Sequence, residues 1–588
     1  MILTLASACQ TPSTPIAQAV PRLGGSIVVG SWEPPESLLA AGISDQFPAA
    51  MAVVAPMAEG LLRVRDQSEF SPRGPASVYA PQLATEVPTL ENGGVKLEQG
   101  GMTVTWKLRP GVLWHDGTEF TSRDVVDTFQ FRWLKYRDRN PTLLQSTAGW
   151  DQVSSVDAPD ARTAVIHFKQ PYGPYLGLGS GPYGILPGHL LEKTWEAGGN
   201  LARVKLPIAL SGGFSGNATW DQFIVGTGPY LLKEFVADDH LTMVRNPSWW
   251  GAPTHQPYLD SIQFRFEKSR EAELADLAAG RIDLALDIGQ GDPEAVKDAL
   301  GRSHGSAVVG RMTGVEHLDF NLKNRYLSNP VIRKAIRLAL NRARLGPPAV
   351  AGKRPPPADG WICGGLAAWC EEPSSRAAPY DPKAASALLD QAGFGIQTSG
   401  DDAGYRSFGD GSTITLSLAA SDADPVRLAE EDEVTADLKR IGIKVRQPYA
   451  NVPSRRLYAD FRAGGILLTH AFDLVIYSDS VNGGEPDGFA ADFVCEQVPS
   501  DASPAAGLNA TQLCDPAVDA AFKAGRVDVA AGDRRRDYAS AQKALAADLP
   551  NLALHQLVVV HIASTRLRGV GSNGEIWTSN AANWSLTG

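Results

Sequence analysis

No stretch of this chain approaches the roughly 18 consecutive apolar residues that a membrane-crossing helix needs, which predicts a soluble body. Basic blocks are missing as well. The 54 Lys and Arg are outnumbered by 65 Asp and Glu, and no cationic cluster offsets the net charge of −11, which argues against a nucleic-acid partner. Catalytic signatures are equally scarce: there is no Gly-x-Ser-x-Gly elbow, no His-Glu-x-x-His and no phosphate-binding loop, and the ten histidines are dispersed. The residues therefore call for no enzyme activity, no cofactor and no metal. Cysteine is sparse too, with five in 588 residues. Cys363 lies close to Cys370, and Cys495 and Cys514 enclose a loop rich in Ser, Pro, Ala and Gly. Four cysteines allow three connectivities, of which the two local pairs are the simplest. The spacings do not suit zinc, and no histidine falls inside either loop. Disulfides fit an oxidising compartment.

The remaining cysteine belongs to Met1-Ile-Leu-Thr-Leu-Ala-Ser-Ala-Cys9, which reads as the end of a secretory signal. It resembles a bacterial lipoprotein signal, and that resemblance implies lipidation of Cys9. Residues 10–23, rich in Thr, Pro, Ser and Ala, then form a tether to the folded body. At 588 residues two or three domains are expected. Ser26-Ile-Val-Val-Gly30 reads as a buried strand, and Met102-Thr-Val-Thr-Trp-Lys-Leu108 alternates as another. Thr121-Ser122 caps a helix predicted to run to about Tyr136. His115-Asp116 reads as a turn-stabilising pair. Two apolar-alternating runs around Ala237-Asp-Asp-His240 predict a hairpin, entered through Gly226-Thr-Gly-Pro229, whose glycines permit backbone angles closed to other residues. Asp381-Pro382 and Asp515-Pro516 each predict a capped helix start, residues 534–549 a helix, and residues 552–562 a buried strand. Helices alternating with strands indicate an α/β protein.

Val104-Thr-Trp-Lys-Leu-Arg-Pro-Gly-Val-Leu-Trp-His-Asp-Gly-Thr-Glu-Phe-Thr-Ser-Arg-Asp-Val-Val126 resembles the signature segment of the extracytoplasmic solute-binding protein family 5, the peptide, dipeptide, oligopeptide and nickel receptors of ABC importers. Gly226-Thr-Gly-Pro-Tyr230 through Arg245-Asn-Pro-Ser-Trp-Trp-Gly251 is similar to the family's second hallmark. Further resemblances follow in the family's order, among them Ala279-Gly-Arg-Ile-Asp-Leu284, Pro330-Val-Ile-Arg-Lys-Ala-Ile336 and Asp437-Leu-Lys-Arg-Ile-Gly-Ile-Lys-Val445. The resemblance implies a bilobal, periplasmic-binding-protein-like fold of type II, with an extra subdomain inserted in the first lobe. Carried onto this chain, lobe I comprises 24–62, 206–310 and 555–588, the subdomain 63–205 and lobe II 311–554. It further implies a lipid-anchored, monomeric receptor outside the cytoplasm that hands its solute to a membrane permease.

The ligand is expected at Phe472-Asp-Leu-Val-Ile-Tyr-Ser-Asp-Ser-Val-Asn-Gly-Gly-Glu-Pro-Asp-Gly-Phe489, which resembles the family's second-lobe ligand segment. In the peptide receptors an aspartate there pairs with the peptide's α-ammonium, and that position falls on Asn482. Asn482 brings no charge, so Asp479 or Asp487 would have to replace it, or the ligand is not a peptide with a free amine. Trp32, Glu33, Trp361, Tyr477, Ser478 and Ser480 complete the expected cleft, with Trp361 reading equally as packing for the disulfide loop. Peptides are the expected solute; a nickel chelate or an oligosaccharide is the alternative on the same fold, and a secreted hydrolase the alternative in another class.

Overall fold

The computed structural model describes residues 21–32, 34–35, 38, 48–65, 78–130, 149–182, 184–191, 224–252, 256–289, 293–347, 355–358, 360–363, 366–370, 379–422, 424–481, 484–504 and 507–587. Cys9, Glu33 and Asn482 lie outside the described residues. Among the described residues no helix is long and apolar enough to cross a membrane.

A nine-stranded mixed sheet organises the chain. Its strands are β1 (Ser26–Ser31), β2 (Tyr230–Val236), β3 (His240–Arg245), β4 (Ser261–Phe266), β5 (Leu284–Ala285), β6 (Ser306–Phe320), β7 (Leu418–Ala419), β8 (Leu474–Asp479) and β9 (Asn551–Ala563). They lie side by side in the order β7-β8-β6-β9-β5-β1-β4-β3-β2. β6 and β9 are the long strands because they serve both ends of the sheet. Ser306–Arg311 pairs with the end of β9 that also holds β5, whereas Val315–Phe320 lies between β8 and the start of β9.

The register of this pair slips between Arg311 and Val315, and again between Glu316 and His317. Backbone groups freed by a slip need other partners. The Gln556 side-chain amide supplies them, donating to the carbonyls of Met312 and Gly314 at 2.7 and 2.6 Å. The Thr313 hydroxyl donates to the Val481 carbonyl at 2.5 Å. Gly314 fits because a Cβ there would stand 2.5 Å from the Asp479 carbonyl oxygen.

Helices Pro330–Ala339, Pro382–Gln391 and Pro425–Arg440 belong to the β7-β8 end of the molecule, and Leu318, Phe320, Leu474 and Ile476 join their apolar residues in one core. Each begins with the same device: Asn329, Asp381 or Asp424 accepts a backbone N–H from the first turn, and proline follows at the first helical position. Asp515-Pro516 repeats it for helix Pro516–Val527, which packs against helix Ala531–Asp548.

Val95–Glu98, Gly101–Lys107, Val153–Asp160 and Thr163–Phe168 form a separate four-stranded antiparallel sheet, with Gly101–Lys107 and Thr163–Phe168 at its centre. Helix Ser122–Phe129 starts at Thr121 with a reciprocal capping box to Asp124, and residues 131–136 of the longer helix expected there lie outside the described residues.

The β2-β3 hairpin forms as expected, but its glycines work differently. Neither Gly226 nor Gly228 has a left-handed φ. They allow close approach: Gly228 donates to the Met57 carbonyl at 3.0 Å, and a Cβ on Gly226 would sit 1.9 Å from that oxygen. His115 completes the joint. Its Nδ1 accepts the Gly226 N–H at 3.2 Å, which leaves the proton on Nε2 to donate to the Gly228 carbonyl, also at 3.2 Å. Asp116 serves the turn as expected, accepting the Thr118 N–H at 3.0 Å, but its other oxygen binds His189 Nε2 at 2.6 Å and not His115. Burial pushes the His115 pKa down to about 4.

Gly226→Ala is expected to cost about 1–3 kcal/mol, the usual range for crowding a filled site, seen as a lower urea midpoint at unchanged slope. His115 gives stability a pH dependence of definite sign. Its folded pKa of about 4 lies below the ordinary 6.5, so the unfolded chain takes the proton first as pH falls. Its contribution is complete above pH 6.5 and is lost on acidification to about 4. The urea midpoint of His115→Gln should therefore fall less steeply across this window than that of the parent.

Candidate functional site

β6 and β8 run side by side, so their side chains alternate between the two faces of the sheet. Leu318, Phe320, Leu474 and Ile476 enter one core. The residues between them, His317, Asp319, Tyr477 and Asp479, turn to the other face.

On that second face Asp319 accepts twice, from the Tyr477 hydroxyl at 2.8 Å and from His317 Nδ1 at 2.7 Å. The Trp361 ring lies 4.4 Å from that of His317 and meets Phe489 and Phe493 edge-on at 5.1 and 4.8 Å. Its indole N–H donates to Asn551 Oδ1 at 3.0 Å, which fixes the ring plane. Close by, Asp492 is buried in the short helix Ala490–Phe493, while Asp479 is half-buried at the end of β8. Burial pushes the Asp492 carboxyl well above the usual range, and the Asp479 carboxylate hydrogen-bonded to it, with Asp319 nearby, pushes it further. Among the described residues, Asp492 Oδ1 and His317 Nε2 have no hydrogen-bond partner.

The first face carries a compensated network. Arg427 grips Glu316 through two bonds of 2.6 and 3.2 Å and donates to the Ser478 hydroxyl at 2.9 Å. His555, opposite Glu316 on β9, lies 3.1 Å from Glu430. Burial disfavours a charged His555, but Glu430 and Glu316 outweigh it and raise its pKa.

Beyond β8, the loop at 484–487 meets the short strand Tyr79–Pro81 and the paired helices. Glu485 accepts from Arg534 at 2.8 Å and from the Tyr79 hydroxyl at 3.4 Å. The Arg534 guanidinium lies 4.4 Å from the centre of the Trp369 ring, whose N–H donates to the Gly484 carbonyl. Gly173 is obligatory at this contact, because a Cβ would lie 2.3 Å from the Asp528 carbonyl oxygen and 2.5 Å from Arg534 Nε. Asp487 receives Arg526 Nε on both oxygens at 3.1 Å.

The structure thus brings together Trp361, Tyr477 and Asp479, with Ser478 on the opposite face. Ser480 is exposed just beyond, its N–H bonded to Asp479 Oδ1. Asp487 is committed to Arg526. Trp32 stands apart, at the end of β1, with the Arg270 guanidinium 4.0 Å over its ring. His317, Asp319 and Asp492 did not emerge from the sequence reading, although Val315-Glu-His-Leu-Asp-Phe320 carries the signal: polar residues interrupting a strand that both ends of the sheet enclose. Cys363–Cys370 and Cys495–Cys514 are both bonded, the local pairing.

The Glu316–Arg427 pair is read as structural. Arg427→Met strands a buried carboxylate and is expected to destabilise by about 3–5 kcal/mol in urea unfolding, whereas the double variant with Glu316→Met should recover most of that loss.

Comparison with known proteins follows the same lines. The profile of the bacterial extracellular solute-binding proteins, family 5 Middle, matches residues 78–496. The di/tripeptide-binding protein 2 of Pseudomonas aeruginosa is 25% identical over 496 residues, which cover 81% of this chain and 82% of that protein. Oligopeptide-binding protein AppA of Bacillus subtilis, solved with a nonapeptide, superposes with a TM-score of 0.65 at 20% identity, covering 97% of this chain and 100% of that one. NikA of Brucella suis, solved with Fe(III)-EDTA, gives 0.72 at 20% identity, covering 96% and 100%. These structural likenesses establish the expected bilobal α/β fold, and the profile match spans well over half the sequence. The chain belongs to the bacterial extracellular solute-binding proteins, family 5.

Proposed function

We propose that this protein captures peptides with a free amino terminus between its two lobes and delivers them to the permease of an ABC importer, with no catalysis of its own. The observation that carries the reading is the Asp479–Asp492 carboxylate pair. Asp479 stands at the end of β8, in the segment where the family's amine-binding aspartate is expected, Asp492 lies in the helix that follows that segment, and the pair has no ion-pair partner among the described residues. An ammonium is the group that such a pair lacks, and a charge-assisted hydrogen bond to one is worth about 1.5–3 kcal/mol. Asp487, its guanidinium already in place, is a poorer candidate. The peptide ligands in the names of the Pseudomonas and Bacillus relatives support the same class of solute.

The proposed lobes are 24–62, 206–310 and 555–588 for the first, with 63–205 inserted, and 311–554 for the second. The register slip at 311–315 is then the hinge, since it is where the crossing strands already depart from regular pairing. Tyr477, Trp361 and the exposed Ser480 would line the second-lobe wall. The proposed protein is a monomer, held at the outer face of a membrane by a lipid on Cys9.

With an unblocked dipeptide or tripeptide as probe, Asp479→Asn and Asp492→Asn should each weaken binding about tenfold or more by calorimetry. N-acetylated versions of the same peptides should bind weakly to parent and variants alike. An equal loss for both kinds of peptide would mean that the pair does not read the amine.

A further inference from the structure

Lobe II contains an apolar cavity of about 80 Å³ bordered by Trp361. Phe489, Phe493 and Phe522 line it together with Leu545 of helix Ala531–Asp548 and Leu549 just beyond that helix. Trp361 both lines it and lies against the His317 ring, so the cavity adjoins the place described above. Trp361 and Ile362 of the wall directly precede the Cys363–Cys370 bridge.

The polar lining has one sign. No Asp or Glu borders the cavity among the described residues, while Arg337 and Arg342 both do. Arg342 is occupied, its Nη1 donating to the Ala358 and Ala553 carbonyls at 2.9 Å each. Asn551 is taken by the Trp361 indole. Arg337 is different. It sits half-buried in the last turn of helix Pro330–Ala339, where the helix dipole favours a cation, yet it forms no hydrogen bond or ion pair within the described residues. Its neighbour one turn earlier, Arg333, is by contrast fully used, capping the carbonyls of Leu327, Asp548 and Leu549.

An apolar cavity of roughly 150 Å³ takes up benzene, so one of this size suits a branched aliphatic group and excludes an aromatic ring. We propose that the cavity is a binding site for a small branched-chain carboxylate, with the alkyl group between the phenylalanines and leucines and the carboxylate on Arg337. Such a group has two sources: a free branched-chain acid, or the carboxy-terminal residue of a captured peptide. The second source rests on the peptide reading above; the first does not.

Calorimetry with 3-methylbutanoate on the full chain tests the free acid, and 3-methylbutanamide tests the need for charge. The acid should bind the parent at least about tenfold more tightly than the amide, and Arg337→Gln should erase that difference. Ala546→Leu, which fills the cavity from its helix, should abolish binding of the acid without lowering the thermal midpoint of the ligand-free protein. Leu-Leu, its carboxy-terminal amide and competition with 3-methylbutanoate separate the sources. A tenfold loss of Leu-Leu in Arg337→Gln, with competition, assigns the site to the peptide terminus. Binding of the acid with Leu-Leu unaffected, or with no peptide bound at all, assigns it to a free solute. If neither 3-methylbutanoate nor Leu-Leu responds to Arg337→Gln and Ala546→Leu, the proposal is wrong.

Discussion

The antiparallel pairing of β6 with β9 is the constraint from which the rest follows. It is the only connection in the large sheet that reaches both β5 and β8 among the described residues, so the two ends of the molecule are coupled through it. A continuous regular ladder there would lock the ends into one rigid sheet. The slip at 311–315 breaks the ladder without leaving the backbone unsatisfied, because Gln556 replaces the missing donors from its own side chain. The break is therefore cheap to keep and local. Gly314 sets its position, since any larger residue would collide with the end of β8.

The same strand explains why the site has two chemically different faces. Glu316 and His317 are adjacent in sequence and so point to opposite sides of the sheet. On one side Glu316 meets a guanidinium in bidentate geometry, the arrangement that best compensates a buried carboxylate. On the other, Asp319 accepts from the His317 ring and the Tyr477 hydroxyl, and the neighbouring Asp479 and Asp492 have no ion-pair partner among the described residues. One face holds the structure together; the other retains unspent hydrogen-bonding capacity.

Much of this was legible in the residues. The Asp-Pro starts at 381 and 515, the hairpin after Gly226 and the strand at 552–562 were readable because local rules decide them: a cap, a turn and a run of apolar residues. The role of Gly226 was not, since nothing in the sequence says that Met57 presses its carbonyl against that backbone. His115 misled for a similar reason. Adjacency to Asp116 suggested a pair, but the partners that decide its tautomer lie more than a hundred residues away. Asp487 and Asp479 looked equivalent in the loop, and only the return of Arg526 from a later helix distinguishes them. Asp492, His317 and Asp319 escaped because their meaning is set by what packs around them, not by spacing.

Compensation is a better guide to function here than exposure or motif. Glu485, Asp487 and Glu316 are all buried acids, and each has its arginine. Glu59 forms no ion pair among the described residues, with Arg109 acting on it only from nearby, and burial raises its pKa to about 7, yet the indoles of Trp249 and Trp250, the Thr227 hydroxyl and the Gln82 amide all donate to it. Its protonation state matters to the joint between β2 and the preceding segment, not to a ligand. The Asp479–Asp492 pair fails this accounting, being acid against acid at the open end of a strand, and Arg337 fails it in the opposite sense beside an apolar cavity. Leaving charged groups of opposite sign without a partner is costly to a fold and useful to a receptor, because an incoming solute can supply what the chain withholds.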